Sequence, residues 1–307
     1  MPWLQVTLAT DRGRIPLIEA VLENLGALAV TLTDAGDEPQ LEPAPGTTPL
    51  WGEVQVAALF DPADPDTPTQ EVIKAGIAAC NLHPGSEPIF ESVEDQAWEH
   101  TWRDDFAPTH FGRRLWVCPR GQDPLERAET DVIVVLEPGL AFGTGHHPTT
   151  ALCLQWLDGA NLAAARVTDY GCGSGILAIS ALKLGAARAV AVDHDPQALE
   201  ATRANADENG VAQRLVIMTP EAVPRDHPPA SADYLVANIL AAPLIELAPT
   251  LARLVGPGGH LALSGLLEDQ IESVQSAYRP WFDLGAPRLL EGWVLLAGHR
   301  LSQGRQP

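Results

Sequence analysis

The residues with the clearest chemical potential lie in Val167-Thr168-Asp169-Tyr170-Gly171-Cys172-Gly173-Ser174-Gly175, where a strand pattern runs into a glycine turn and then the helical run ILAISALKLG. Three glycines let a backbone turn sharply and lie against a ligand at a distance that side chains forbid. The spacing is G-x-G-x-G; the dinucleotide fingerprint needs G-x-G-x-x-G, and Leu177 and its neighbours do not restore that register. Taken alone, such a turn also reads as a tight strand-to-helix connection. Asp193 stands 22 residues past Gly171, at the end of AVAVD. An acid at the tip of a second strand, at about that distance, can accept both hydroxyl hydrogens of an adenosine ribose. Asp195, followed by Pro196, reads instead as a helix start, with Asp capping free amides and Pro at the first helical position. The ribose role therefore falls to Asp193.

The glycine turn and the acid at this distance resemble the class I S-adenosylmethionine-dependent methyltransferases. Two further groups then gain meaning. The stretch EPGLAFGTGHHPTT (residues 137–150) leads into the helical run ALCLQWL. Pro148 suits a first turn, and the hydroxyls of Thr149 and Thr150, with nearby unpaired amides, could hold a carboxylate. The paired His146 and His147 have no acidic or cysteine partner at a spacing that completes a metal site, so no metal is expected. Asp233 to Asn238 (DYLVAN) reads as a strand ending in Asn238. In many amino-methylating enzymes the fourth strand ends in Asn or Asp followed by Pro-Pro and an aromatic residue, and oxygens there accept hydrogens from the target amine. Here the residues are N-I-L, so the aromatic clamp is missing. Asn238 is also a natural turn residue at a strand end; the surrounding pattern points to function. His146, His147 and His194 are near enough in sequence to be proton acceptors, or they are structural.

These groups need a sheet to hold them. From residue 166 onward the chain alternates strand and helix patterns: strands at 166–170, 189–193, 215–219, 234–238, 260–264 and 292–296, with helices beginning near Gly175, Pro196, Pro243 and Leu267. Such alternation implies a mostly parallel sheet covered on both faces, with its ligand at the carboxyl ends of the strands where the strand order reverses. Residues 2–94 read as strand, helix, strand, strand, helix, strand. Ile15, Ile18, Val21, Leu22 and Leu25 recur at helical spacing, and Gly26 closes that helix where a left-handed residue is wanted. This pattern resembles a small split βαβ sandwich. Between the two, EDQAWEHTWRDDF places Trp98 and Trp102 four apart, on one face of a helix that links the domains or packs on one of them.

Length and composition agree with two globular domains. At 307 residues, 46% hydrophobic and 19% charged, the chain buries a sizeable core without metals or crosslinks. Cys80, Cys118, Cys153 and Cys172 form no C-x-x-C pair, which suggests neither a zinc knuckle nor a disulfide framework. Against 40 Asp and Glu stand 19 Lys and Arg, a formal net charge of -21, and only Lys74 and Lys183 are lysines. Such a field repels nucleic acid and anionic lipid and attracts basic partners. The start MPWLQVTLATDRGR has no basic segment leading into a long apolar run, and no stretch reaches ~18 uninterrupted apolar residues. The expectation is a soluble, cytoplasmic, monomeric protein that uses neither nucleic acid nor membrane.

Together these segments resemble the bacterial ribosomal protein L-eleven methyltransferases over nearly the whole length. The resemblance includes the MPW start, LEPAPGTTPLWGEVQVAALFD, EDQAWEHTWRDDFAPTHFGRRLWVCP, EPGLAFGTGHHPTTALCLQWLDG, DYGCGSGILAISALKLGA and VANILAAPLIELAP. The FGTG-HPTT segment is far more specific than the glycine turn. His146 and Glu137 stand where the family usually has Thr and Asp. The resemblance implies a Rossmann-like, seven-stranded class I methyltransferase domain over 107–302. It also implies a small α+β, ferredoxin-like substrate-recognition domain over 1–94 and a helical linker over 95–106. It implies S-adenosylmethionine as cofactor, with Thr150, Gly171, Asp193 and Asn238 at cofactor-contacting positions and Gly173 in the same glycine turn. The implied substrate is a basic ribosomal protein of the large-subunit stalk base, methylated on lysine side chains and its terminal amine, with Asn238 orienting the amine. Two alternatives stand beside this: a methyltransferase for another protein or a small amine, and a noncatalytic ribosome-assembly binder.

Overall fold

Alternating burial along Val6 and Leu8, matched by Val54, Val56, Ala58 and Phe60, gives the amino-terminal sheet one apolar face. In the computed structural model, which describes residues 3–36, 51–62, 67–80, 87–93, 107–136, 147–223 and 228–302, the chain divides into two compact units, Met1–Trp98 and Glu99–Pro307. The first unit runs β1 (Trp3–Asp11), α1 (Ile15–Asn24), β2 (Ala29–Asp34), β3 (Glu53–Phe60), α2 (Gln70–Ala78) and β4 (Ile89–Val93). Its strands lie in the antiparallel order β2-β3-β1-β4. Ile15, Ile18 and Leu22 of α1 and Ile73 and Ile77 of α2 cover the apolar face in one core. Gly26 takes the left-handed conformation (φ 89°) that ends α1. This is the ferredoxin-like arrangement. The linker expected at 95–106 lies outside the described residues.

The second unit begins with β5 (Thr109–Phe111), β6 (Leu115–Pro119) and β7 (Val132–Leu136), a small sheet of its own in which β6 pairs antiparallel with β5 and parallel with β7. The sequence pattern did not announce it. Helix α3 (Pro148–Gly159) follows, then β8 (Arg166–Tyr170), α4 (Ile176–Lys183), β9 (Arg188–Val192), α5 (Pro196–Glu208), β10 (Leu215–Met218), β11 (Ala232–Asn238) and α6 (Ala241–Leu254). The chain ends in β12 (Val255–Leu267), α7 (Ile271–Tyr278), β13 (Phe282–Leu284), β14 (Arg288–Leu290) and β15 (Trp293–Arg300). The large sheet has the order β10-β9-β8-β11-β12-β15-β13, with β14 also on β15. Strands β8 to β12 are mutually parallel and β15 runs antiparallel.

β13 and β14 pair with β15 at opposite ends of the border that β12 leaves open, Phe282 opposite Arg300 and Leu290 opposite Trp293. They are one edge strand interrupted at Gly285-Ala286-Pro287, so the sheet keeps seven strand positions. Strands expected at 260–264 and 292–296 are longer, and the helix expected near Leu267 starts as a 3-10 turn at Glu268 before α7. Successive residues of each strand face opposite cores. Val236 packs with α3 and α4 on one side, and Leu235 and Ala237 pack with α6 and α7 on the other.

Asn209, just past α5, ties β7 to the main domain. Its amide donates to the Val135 carbonyl (2.7 Å) and the Asn205 carbonyl (2.8 Å), and its oxygen accepts from the Val135 N–H (2.8 Å). Each such bond contributes about 1 kcal/mol net, and an orphaned buried partner costs more. Asn209→Ala is therefore expected to lower the free energy of unfolding by about 2 to 3 kcal/mol, read from urea denaturation. A change under about 0.5 kcal/mol would show that water replaces all three bonds.

Candidate active site

The strand order reverses between β8, which is followed in sequence by a crossover to β9, and β11 on its other side. At the carboxyl ends of these strands lies a cavity of about 200 Å³ lined by Thr150, Gly171, Gly173, Asp193, Asn238 and Ile239, with Cys172, Ile176, Leu177 and His194 completing the wall. All five residues expected to form the site meet here: Thr150, Gly171, Gly173, Asp193 and Asn238.

The glycine turn is built as its residue types require. Gly171, Gly173 and Gly175 all have left-handed φ (82°, 53° and 79°), a conformation that costs other residues strain. Space is equally restricted, since a Cβ on Gly171 would lie 2.2 Å from Ile239 Cγ2 and one on Gly175 would lie 2.8 Å from the Thr202 side chain. Polar side chains of α5 fasten the turn from below. The Thr202 hydroxyl donates to the Gly173 carbonyl (2.9 Å), and the Asn205 amide donates to the Ser174 carbonyl (2.9 Å). Motif reading missed these two and Asn209; the signal was a polar series at 202, 205 and 209, which falls on one helical face.

Asp193, immediately after β9, is 8% exposed. Its Oδ2 accepts from the Gly173 N–H (2.9 Å) and its Oδ1 from the Asp195 N–H (3.0 Å). These amides fix the plane of the carboxylate against the glycine turn, and each oxygen has a second lone pair with which to accept a hydroxyl hydrogen. Asp195 is the amino-terminal cap of α5, accepting from the Gln197 N–H (2.9 Å), ahead of Pro196 in the first turn. The two neighbouring acids thus do different things, one at the cavity and one at the helix start.

Asn238 ends β11 and is half-buried. Its Nδ2 donates to Thr150 Oγ1 (3.3 Å) in the first turn of α3. With the amide nitrogen so engaged, the carbonyl oxygen of the side chain is left as an acceptor at the cavity. His147 caps α3: its Nδ1 lies 2.8 Å from Thr149 Oγ1 and accepts from the Thr149 N–H (3.4 Å), and its ring sits edge-on to Trp293. Burial lowers its pKa below the usual imidazole range, against an opposing pull from Glu291. That neutral, engaged ring is a cap. His194 is almost fully exposed beside Asp193, with Nδ1 3.4 Å from Oδ1. Glu137 and His146 lie outside the described residues, as does the rest of 137–146.

Beneath the turn lies Asp169, fully buried. Its Oδ2 accepts from the Ala178 N–H (3.0 Å) and its Oδ1 has no partner. Desolvation, partly countered by the Ala178 bond and reinforced by the Asp193 charge, pushes its pKa up to about 7. Cys153 and Cys172, whose thiols burial holds in the neutral form, are coupled to the same carboxyl. Among the described residues no group of three or more His, Cys, Asp or Glu is arranged to hold a metal ion, and no helix is long and apolar enough to cross a membrane.

A seven-position sheet in this order, a G-x-G-x-G turn after its first strand and an acid after its second define a class I methyltransferase domain. Comparison with known proteins specifies it further. The chain matches the family Ribosomal protein L11 methyltransferase (PrmA) over residues 2–301 and belongs to that family. It is 51% identical over 303 residues to the Ribosomal protein L11 methyltransferase of Nitrosococcus oceani, covering 98% of this chain and all of that one. It is 50% identical over 301 residues to the protein of the same name from Pseudomonas aeruginosa, covering 98% and 99% of the two chains. Among solved structures, the ribosomal protein L11 methylase of Lactobacillus delbrueckii subsp. bulgaricus aligns with TM-score 0.58 at 30% identity, covering 64% of this chain and all of that one.

Proposed function

We propose that this methyltransferase transfers methyl groups from S-adenosylmethionine to lysine side-chain and terminal amines of ribosomal protein L11 in the cytoplasm. The convergence of Asp193, the glycine turn and Asn238 on one cavity carries the proposal. The donor set fits the cofactor: an oriented carboxylate for the ribose diol, left-handed glycines that bring bare backbone to the cavity wall, and the Thr150 hydroxyl at a helix start. When bound, S-adenosylmethionine supplies a methyl group on a positively charged sulfur, open to in-line displacement.

What the chain must add is alignment and exclusion of water. The attacking amine has to be neutral, although a lysine ammonium in water has a pKa of ~10.4. Ile239, Ile176 and Leu177 give the cavity an apolar wall that disfavours the ammonium, while the Asn238 oxygen accepts an N–H and points the lone pair. An amide takes up no proton at neutral pH, so Asn238 orients and water carries the proton away. The first unit presents the substrate protein, with the segment at 95–106 as its linker.

Charge supports a basic protein substrate. Residues 1–98 carry 16 Asp and Glu against 3 Lys and Arg, most of the chain's excess negative charge in under a third of its length. Electrostatic steering is screened over about 10 Å at 0.1 M salt. Between 50 and 500 mM salt, kcat/KM for L11 is expected to fall about tenfold while cofactor affinity holds; a flat profile would remove the steering argument. The direct test of function is incubation with labelled S-adenosylmethionine and L11, followed by mass spectrometry. Label on L11 amines is expected, and none would end the proposal; label on an unrelated amine alone would favour a different acceptor.

A further inference from the structure

We infer that Gly265, which does not line the cavity, is a positioning residue that sets Asn238 for amine capture, an inference that rests on the role proposed for Asn238. The pairing of β12 with β15 slips between Ser264 and Leu266, leaving Gly265 as the extra residue of a β-bulge with φ 87°. Bulges next to functional sites commonly re-aim a neighbouring side chain, and a strand glycine often marks close approach of another backbone. Both conditions are met here. A Cβ on Gly265 would lie 2.4 Å from the Ile239 carbonyl oxygen, 2.8 Å from its carbon and 3.1 Å from its nitrogen. These are backbone atoms, which cannot swing aside as a flexible side chain can. The Ile239 N–H donates to the Ser264 carbonyl (3.1 Å), locking it to the bulge.

On its other side Ile239 is pressed against Gly171, with Cγ2 occupying the place a Cβ of that glycine would take. Residue 239 is thus gripped between two left-handed glycines, one from the cofactor turn after β8 and one from the bulge of β12. Asn238 is its immediate neighbour and pairs in register with Ser264. Any side chain at 265 therefore displaces the Ile239 backbone and carries Asn238 with it, disturbing the bond to Thr150. The bond from the Gly173 N–H to Asp193 joins the turns after β8 and β9, on the far side of β11 from the bulge.

The test compares Gly265→Ala with Ser264→Ala. The second variant removes the buried bond from the Ser264 hydroxyl to the Val294 carbonyl but keeps the main-chain contact to Ile239. Gly265→Ala is expected to lower kcat on the protein substrate about tenfold or more at saturating S-adenosylmethionine, and to weaken cofactor affinity, by calorimetry, by a clearly smaller factor. Ser264→Ala is expected to lower the melting temperature with kcat within threefold. The side-chain amide signal of Asn238, followed by NMR, should shift in Gly265→Ala alone, and this holds whether or not L11 proves to be the substrate. If Gly265→Ala does not fold, Ile239→Ala, which removes the Cγ2 contact with Gly171 and leaves the main-chain contact with Gly265, should shift the Asn238 amide signal by loosening the same grip, and an unmoved signal in that variant would overturn the inference. An unmoved Asn238 signal, or parallel loss of cofactor affinity and turnover, would overturn the inference.

Discussion

Replacing Asp193 by alanine is expected to lower affinity for S-adenosylmethionine about a hundredfold. A hydrogen bond to a charged group contributes about 1.5 to 3 kcal/mol, and in the proposed role the carboxylate accepts two hydroxyls. The same change strips the Gly173 and Asp195 amides of their acceptor, so the glycine turn loosens as well. Asp195→Ala is the internal control. It removes a helix cap worth about 1 kcal/mol of stability and should leave cofactor affinity nearly unchanged. Calorimetric titration of both variants decides the matter; equal losses at 193 and 195 would mean that the effect is one of stability and that the ribose is held elsewhere.

The second large effect concerns Asp169 and pH. Its carboxyl is raised from an ordinary 3.8 to about 7 in the folded protein, while the unfolded chain restores the ordinary value. Between these limits the native state keeps a proton that the unfolded state has released, so stability is fully present below pH ~4 and is lost as pH rises toward 7. Roughly three units at 1.36 kcal/mol each amount to about 4 kcal/mol. Asp169→Asn keeps an acceptor for the Ala178 N–H and cannot ionise. Urea denaturation at pH 5 and pH 8 should show a clear decline in the parent protein that largely disappears in the variant. The Asp193 charge adds to the shift, so Asp193→Ala should reduce the decline too. Equal slopes in parent and Asp169→Asn would show that another group carries the pH dependence.

Much of the fold was legible because the chain signals it twice. β8 to β12 are apolar on both sides, as parallel strands between helices must be, and their connections open with helix-start residues such as Asp195-Pro196. In the amino-terminal unit, alternation in β1 and β3 and the helical spacing of Ile15, Ile18 and Leu22 leave little choice of face. The sheet of β5, β6 and β7 was not legible. β5 has three residues, β6 ends in Pro119, and segments so short show no period of their own. Their burial comes from partners distant in sequence, such as Asp158 of α3, which receives the Arg113 N–H at the β5–β6 turn. The cavity wall was legible through residue type at Gly171, Asp193 and Asn238. Its supports were not, because Thr202 and Asn205 are ordinary surface polar residues until the turn is laid across them, and Gly265 gains meaning only once Ile239 lies against it.

The interruption of the last strand position at Gly285-Ala286-Pro287 bears on how copies of this protein meet one another. An unbroken outer strand offers a row of free amides and carbonyls on which a second chain can zip, the first step toward aggregates. Here that margin is cut into two three-residue pieces, and the proline between them has no N–H to offer. That border is thereby a poor template for strand pairing between two copies.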